Sequence, residues 1–134
     1  MLIPVGDHLK FGEWGEETAA QYLESRGYTI LERRYRCPPQ RGDLDLIARV
    51  KFEGRDFIVF VEVKTRRSKD VRVGEAAVDW GKKKVMIKLA RAFLQRLGRP
   101  TAWRYDVISV YPNRVPGGEP EIEHFIEAFH EQRA

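Results

Sequence analysis

Asp45, Glu62 and Lys64 are the residues of this chain whose types and spacing could do chemistry. The most apolar run, Asp56-Phe57-Ile58-Val59-Phe60-Val61-Glu62-Val63-Lys64, begins as a buried strand and ends in a carboxylate and an ammonium two residues apart. Side chains alternate along a strand, so Ile58, Phe60, Glu62 and Lys64 share one face. A second run, Gly42-Asp43-Leu44-Asp45-Leu46-Ile47-Ala48, sets Asp45 among apolar neighbours in the same manner. Unpaired charge is costly to bury, so a folded domain rarely sets charges at such positions without a use for them. An acid on one strand and a Glu-x-Lys on the next suit metal-dependent phosphodiester hydrolysis. A hard divalent ion takes oxygen ligands, neutralises phosphoryl charge and generates a nucleophilic water. Asp45 and Glu62 can bring two carboxylates to one Mg²⁺ or Mn²⁺ ion, and the Val63 carbonyl is a further oxygen ligand. Lys64 can orient the water and offset phosphate charge. The bland alternatives are an ion pair between Glu62 and Lys64 and a strand-end acceptor role for Asp45.

The elements that must position these groups follow from periodicity. Asp7 is an N-cap candidate for a helix running to Arg26 and stopped by Gly27. Leu9, Gly12, Glu16, Ala19, Ala20 and Leu23 recur at helical spacing, which predicts a core-facing stripe with Glu16 on it. There Glu16 could supply a third carboxylate to the ion, or make a salt bridge to Arg36 or Lys64. Strands are predicted over Tyr28 to Arg36, Asp43 to Lys51, Asp56 to Thr65 and Trp103 to Tyr111. Cys37 through Gly42 is a loop, Phe52-Glu53-Gly54-Arg55 a hairpin turn, and Arg66 to Glu75 a basic loop. A second helix is predicted from about Val78 to Leu97, with Val85, Leu89, Ala92, Phe93 and Leu97 inward and Gly98 as its stop. Ile122, Phe125, Ile126 and Phe129 in the final segment fit a strand or a short helix equally. This order predicts an α/β fold: one domain spanning 1–134, a mixed central sheet flanked by helices, and an acidic C-terminal segment from about 117.

Composition narrows the partners. The net charge of +4 is uneven: Gly117 to Ala134 holds five Glu and one Arg, so the preceding residues carry +8. Basic residues crowd at Lys64, Arg66, Arg67, Lys69 and Arg72, then at Lys82, Lys83, Lys84, Lys88 and Arg91. Such clusters suit a phosphate backbone, because neutralising phosphates releases counterions. Arg66, Arg67, Lys69, Lys82 and Lys84 are therefore the candidate nucleic-acid contacts, with a solvated face as the plain alternative. His8, His124 and His130 show no ligand spacing and read as surface residues. Trp14, Trp80 and Trp103 could stack on bases or belong to the core. The longest apolar run, Phe57 to Val61, is too short to cross a bilayer, and no signal peptide is legible at the start. A single cysteine, Cys37, excludes an internal disulfide framework, and the expected location is cytoplasmic.

Glu16, Asp45 and Glu62-Val63-Lys64 resemble the PD-(D/E)xK nuclease pattern in the arrangement of archaeal Holliday-junction resolvases. The chain is more closely similar to the bacterial YraN-type family of endonuclease-like proteins. The matching segments are Gly12-Glu13-Trp14-Gly15-Glu16, Gly42-Asp43-Leu44-Asp45-Leu46-Ile47 and Phe60-Val61-Glu62-Val63-Lys64-Thr65-Arg66. Val78 through Lys82 and Arg104-Tyr105-Asp106-Val107 complete the set, and the likeness spans about residues 9 to 129. Two positions depart from the family pattern: Asp43 stands for the usual Glu, and Tyr105 for Phe. The shorter Asp43 keeps its charge as a candidate substrate contact. The resemblance implies a restriction-endonuclease-like domain with a Mg²⁺ or Mn²⁺ site at Asp45, Glu62 and Glu16. It also implies nuclease action on DNA, branched or junction DNA included. Symmetric cutting of a four-way junction requires two active sites, hence a homodimer. The alternative function is a nucleic-acid-binding accessory protein that keeps the fold without turnover. A third is a protein-interaction module using the acidic segment.

Overall fold

The computed structural model describes residues 8–67 and 80–131. Asp7, Lys69, Arg72 and Val78, which the sequence reading singled out, lie outside the described residues. The elements are helix α1 (His8–Ser25), strands β1 (Thr29–Tyr35), β2 (Leu44–Phe52) and β3 (Arg55–Thr65), helix α2 (Trp80–Leu97), and strands β4 (Ala102–Tyr111) and β5 (Glu121–Phe129). The five strands form one sheet in the order β1-β2-β3-β4-β5. Neighbours are antiparallel except β3 and β4, which are parallel with Glu62 opposite Val107 and Lys64 opposite Ser109. A parallel pair cannot be closed by a tight turn, and α2 lies in the crossover that joins β3 to β4.

Strand alternation sorts the core into two layers, one on each face. Ile58 and Phe60 pack with Ile47, Tyr105 and Val107 around Met86, Leu89 and Ala90 of α2. Val59 and Val61 face the other way, with Leu46, Ile108 and Val110, against Ala19, Ala20 and Leu23 of α1. The result is a single α/β domain with a helix against each face of a mixed sheet, consistent with a restriction-endonuclease-like fold. No helix among the described residues is long and apolar enough to cross a membrane.

Three details differ from the sequence reading or decide what it left open. First, the buried side of α1 runs through Phe11, Gly15, Ala19, Ala20 and Leu23, not through Gly12 and Glu16. Glu16 sits at the edge of the buried face, with a quarter of its side chain exposed. Second, the final segment is a strand. Its apolar spacing fits a helix as well as a strand because the ladder is irregular: β4 advances two residues from Tyr105 to Val107 while β5 advances four, from Phe129 back to Phe125. The extra residues break the alternation, and Glu127 takes a left-handed backbone with φ of 53°. Third, His124 is not a surface residue. Its ring is buried between Tyr22 of α1 and Asp106 of β4, where Nε2 lies 2.7 Å from Asp106 Oδ2.

Candidate functional site

The ladder between β2 and β3 starts at Leu46 opposite Val61, so the preceding step sets Asp45 beside Glu62 at the sheet's edge of order. Each of these two acids is only 9% exposed. Asp45 Oδ2 accepts a hydrogen bond from the Val63 backbone N–H at 2.8 Å, which fixes the carboxylate against β3. Glu62 points to the α2 face, following the alternation set by Phe60. Its Oε1 is buried and has no hydrogen-bond partner.

Two glycines let the flanking elements close on this point. A Cβ on Gly15 would fall inside the Thr65 side chain, so α1 can lie against the end of β3 only because that position is bare. Gly42, with φ of 85°, enters β2 in a left-handed conformation, and a Cβ there would meet Val85 of α2 at 2.7 Å. Both belong to the segments that carried the family resemblance.

The electrostatics follow from burial. Asp45 is pushed up to about 7, first by desolvation and then by the adjacent Glu62 charge. The Val63 N–H and the Lys82 ammonium pull in the opposite direction. Lys82, in the first described turn of α2, brings Nζ to 3.6 Å from Glu62 Oε1 and donates to the Asp43 carbonyl at 3.3 Å. The two buried acids face the Lys82 ammonium, and Glu62 Oε1 lacks a hydrogen-bond donor. That donor set is the kind a hard divalent cation completes, so Asp45 and Glu62 fit a Mg²⁺ or Mn²⁺ ion.

The other sequence-predicted residues divide. Lys64 lies half-buried on the Glu62 face. Glu16 does not join the two acids: among the described residues no group of three His, Cys, Asp or Glu side chains is close enough to hold a metal. Instead Glu16 accepts from Arg34 Nε at 2.9 Å, rather than from the Arg36 or Lys64 that the sequence suggested. Partial burial pushes Glu16 upward, the Arg34 hydrogen bond opposes this, and the charge of Asp45 adds to the upward shift. Glu16 therefore borders the pair and senses it. Arg36 pairs with Asp43 at 3.8 Å, and Val63 is seen acting through its N–H.

Among the candidate nucleic-acid contacts, Arg66 continues β3 by donating its N–H to the Val110 carbonyl at 2.9 Å, and its Nε is buried without a hydrogen-bond partner. Arg67 is exposed and lies over the Phe11 ring at 4.4 Å. Lys84 is exposed and lies over Trp80 at 5.5 Å. Lys82 turns inward to Glu62. Arg66 and Arg67 thus follow the Glu62 end of β3 and Lys82 reaches it from α2, Lys84 lies exposed on α2, and Lys69 lies outside the described residues.

Sequence reasoning missed Arg34 and the cluster around Asp106. Arg34 holds Glu16 from a left-handed backbone, φ 48°, inside a strand that also carries a register slip. No propensity announces that. The second omission was legible: Arg104 and Asp106 are two residues apart on a strand, the same spacing that drew attention to Glu62 and Lys64.

Comparison with known proteins points to one family. A family model described as "Uncharacterised protein family UPF0102" matches residues 15–110. A UPF0102 protein of Koribacter versatilis is 38% identical over 123 residues, covering 92% of this chain and 81% of the relative. One from Syntrophotalea carbinolica is 42% identical over 123 residues, with 90% and 92% covered. Another, from Syntrophomonas wolfei, is 43% identical over 122 residues, with 90% and 97% covered.

Proposed function

We propose, for a chain that belongs to the uncharacterised protein family UPF0102, a divalent-metal-dependent nuclease that hydrolyses phosphodiester bonds in DNA, with branched and junction DNA as its first candidate substrates. One observation carries this reading: two buried carboxylates side by side, with a Glu62 oxygen that has no hydrogen-bond partner. A fold rarely maintains such a pair for stability alone, since like charges buried together repel. Asp45 and Glu62 would hold Mg²⁺ or Mn²⁺, with the Val63 carbonyl as a supplementary oxygen donor, while Glu16, held by Arg34, would reach the ion only through water. When bound, the ion supplies phosphoryl charge neutralisation and a water of lowered pKa.

The chain's own residues do the rest. Lys64, on the face of Glu62 and two residues beyond it, orients the attacking water and offsets phosphate charge. Arg66, Arg67 and Lys84 neutralise the backbone to either side, so affinity falls with rising salt. Asp45 serves as a ligand only when ionised, and because it sits near 7, activity is expected to rise through neutrality. Symmetric cleavage of a four-way junction would further require a homodimer.

The test is cleavage of a panel of duplex, flap, splayed and four-way-junction DNAs in Mg²⁺ and Mn²⁺. Asp45→Ala and Glu62→Ala should each lower the rate by about a hundredfold or more, with DNA affinity largely kept. Full activity in both variants would overturn the reading.

A further inference from the structure

Lysines on the surface of a helix ordinarily reach into water, as Lys84 and Lys88 of α2 do. Lys82 does not. Its side chain is 29% exposed and crosses from α2 to the sheet, where the ammonium lies 3.6 Å from Glu62 Oε1 and donates to the Asp43 carbonyl at 3.3 Å. It is also among the groups whose charge acts on Asp45. An ammonium gives up hydration to take that position, and the two buried acids compensate for it. The contact with Glu62 is longer than a hydrogen bond, and Glu62 Oε1 stays without one. The ammonium thus balances charge at the pair without saturating its oxygens.

We infer that Lys82 is the built-in counter-cation of the Asp45–Glu62 pair, an ammonium that holds the place of a divalent ion and must be displaced when the ion binds. The inference rests on the reading of that pair as a metal site. An ion of charge +2 at the same carboxylates would turn the neighbouring ammonium from a compensating charge into a like charge at short range. The four-carbon stem of lysine lets the head group swing outward to solvent, where it is free to meet a phosphate. One residue then serves two states: counter-ion of the empty site, and phosphate contact of the loaded one. Metal loading and nucleic-acid binding become linked, since each favours the outward position. Metal affinity in this arrangement is held below what the two carboxylates alone would give.

The experiment is a calorimetric Mn²⁺ titration of the full chain at pH 8.5, comparing wild type, Lys82→Met, Lys82→Gln, Lys82→Arg and Asp45→Asn/Glu62→Gln. Thermal melts are taken with chelator and with Mn²⁺. Lys82→Met and Lys82→Gln should bind Mn²⁺ about tenfold more tightly than wild type. Without metal they should melt below wild type, and Mn²⁺ should raise their melting temperature by more than it raises that of wild type. Lys82→Arg, which keeps a cation in place, should bind as wild type does. Binding seen only in the neutral variants would support the inference equally. Unchanged or weaker binding by both neutral variants, while Asp45→Asn/Glu62→Gln abolishes wild-type binding, would overturn it and leave the metal site standing. Mn²⁺ binding that survives Asp45→Asn/Glu62→Gln, or is absent from every variant, would remove the metal-site reading and this inference with it. Two neutral variants of different shape guard against loss of one to misfolding.

Discussion

A lone buried acid on β4 and a buried pair on β2 and β3 are provided for in opposite ways. Asp106 of β4 is fully buried, and every part of its carboxylate is occupied. Arg104 donates through Nε at 3.0 Å and through its terminal nitrogen at 3.1 Å, His124 lies at 2.7 Å, and the Glu127 N–H donates at 3.1 Å. Arg104 also reaches the Tyr28 hydroxyl, so the cluster ties β4, β5 and the start of β1 together. On the other face Asp45 receives one backbone N–H, and Glu62 Oε1 receives none. Similar burial thus leaves the two sites in different environments, and the supply of donors is what separates them. Asp106 is saturated and locks the irregular pairing of β4 with β5. The Asp45–Glu62 pair is short of donors.

The comparison breaks first at Asp106. Asp106→Ala leaves the Arg104 guanidinium and the His124 ring buried without their acceptor, and an orphaned buried charge costs about 3–5 kcal/mol. Urea unfolding should show a loss of that size, and a loss under about 1 kcal/mol would deny the saturated acid its structural role. The effect at Asp45 should have the opposite sign. Its folded value of about 7 lies well above the model-peptide value of 3.8, so the folded chain holds the proton more strongly than the unfolded one. That contribution to stability is full below 3.8 and is lost as pH rises through the folded value. Asp45→Asn keeps an oxygen for the Val63 N–H and removes the charge. It should stabilise the metal-free protein by up to about 4 kcal/mol at pH 8, with the gain shrinking as pH falls toward 4. A destabilised Asn variant at pH 8 would mean that the site is not starved of donors. The smallest effect belongs to an exposed pair. Arg33 and Glu17 meet at 2.8 Å with nearly half of each side chain in water. Arg33→Ala should change stability by no more than about 0.5 kcal/mol in a chemical melt, and a larger loss would blur the contrast between buried and exposed charge.

Much of this arrangement was readable in the chain because strands have a rigid period of two. Ile58, Phe60 and Glu62 fall on one face by counting, and β2 and β3 meet through the short turn at Glu53 and Gly54, so Asp45 and Glu62 become neighbours without further information. Helix faces are less forgiving. Gly12 and Glu16 lie one residue from Phe11 and Gly15, yet that step rotates the stripe by about 100°. What decided the face was Gly15, whose missing side chain makes room for Thr65, a tertiary fact. The final strand was ambiguous because the extra residues around Glu127 shift Ile126 out of the alternation. His124 could not be seen as buried, since its partners Tyr22 and Asp106 come from other elements and the ring finds them only once the sheet and α1 are assembled. The same holds for Arg34, whose left-handed backbone and bond to Glu16 depend on how β1 meets α1.

The central claim, that the donor-poor acids hold a divalent ion, is tested most directly by equilibrium binding in the absence of DNA. Mn²⁺ would be titrated into wild type and into Asp45→Asn/Glu62→Gln at pH 8.5, with heat and a metal-dependent rise in melting temperature as paired readouts. Saturable binding and a raised melting temperature in wild type, both absent from the double variant, are the expected result. Equal binding by the two proteins, or none by either, would contradict it.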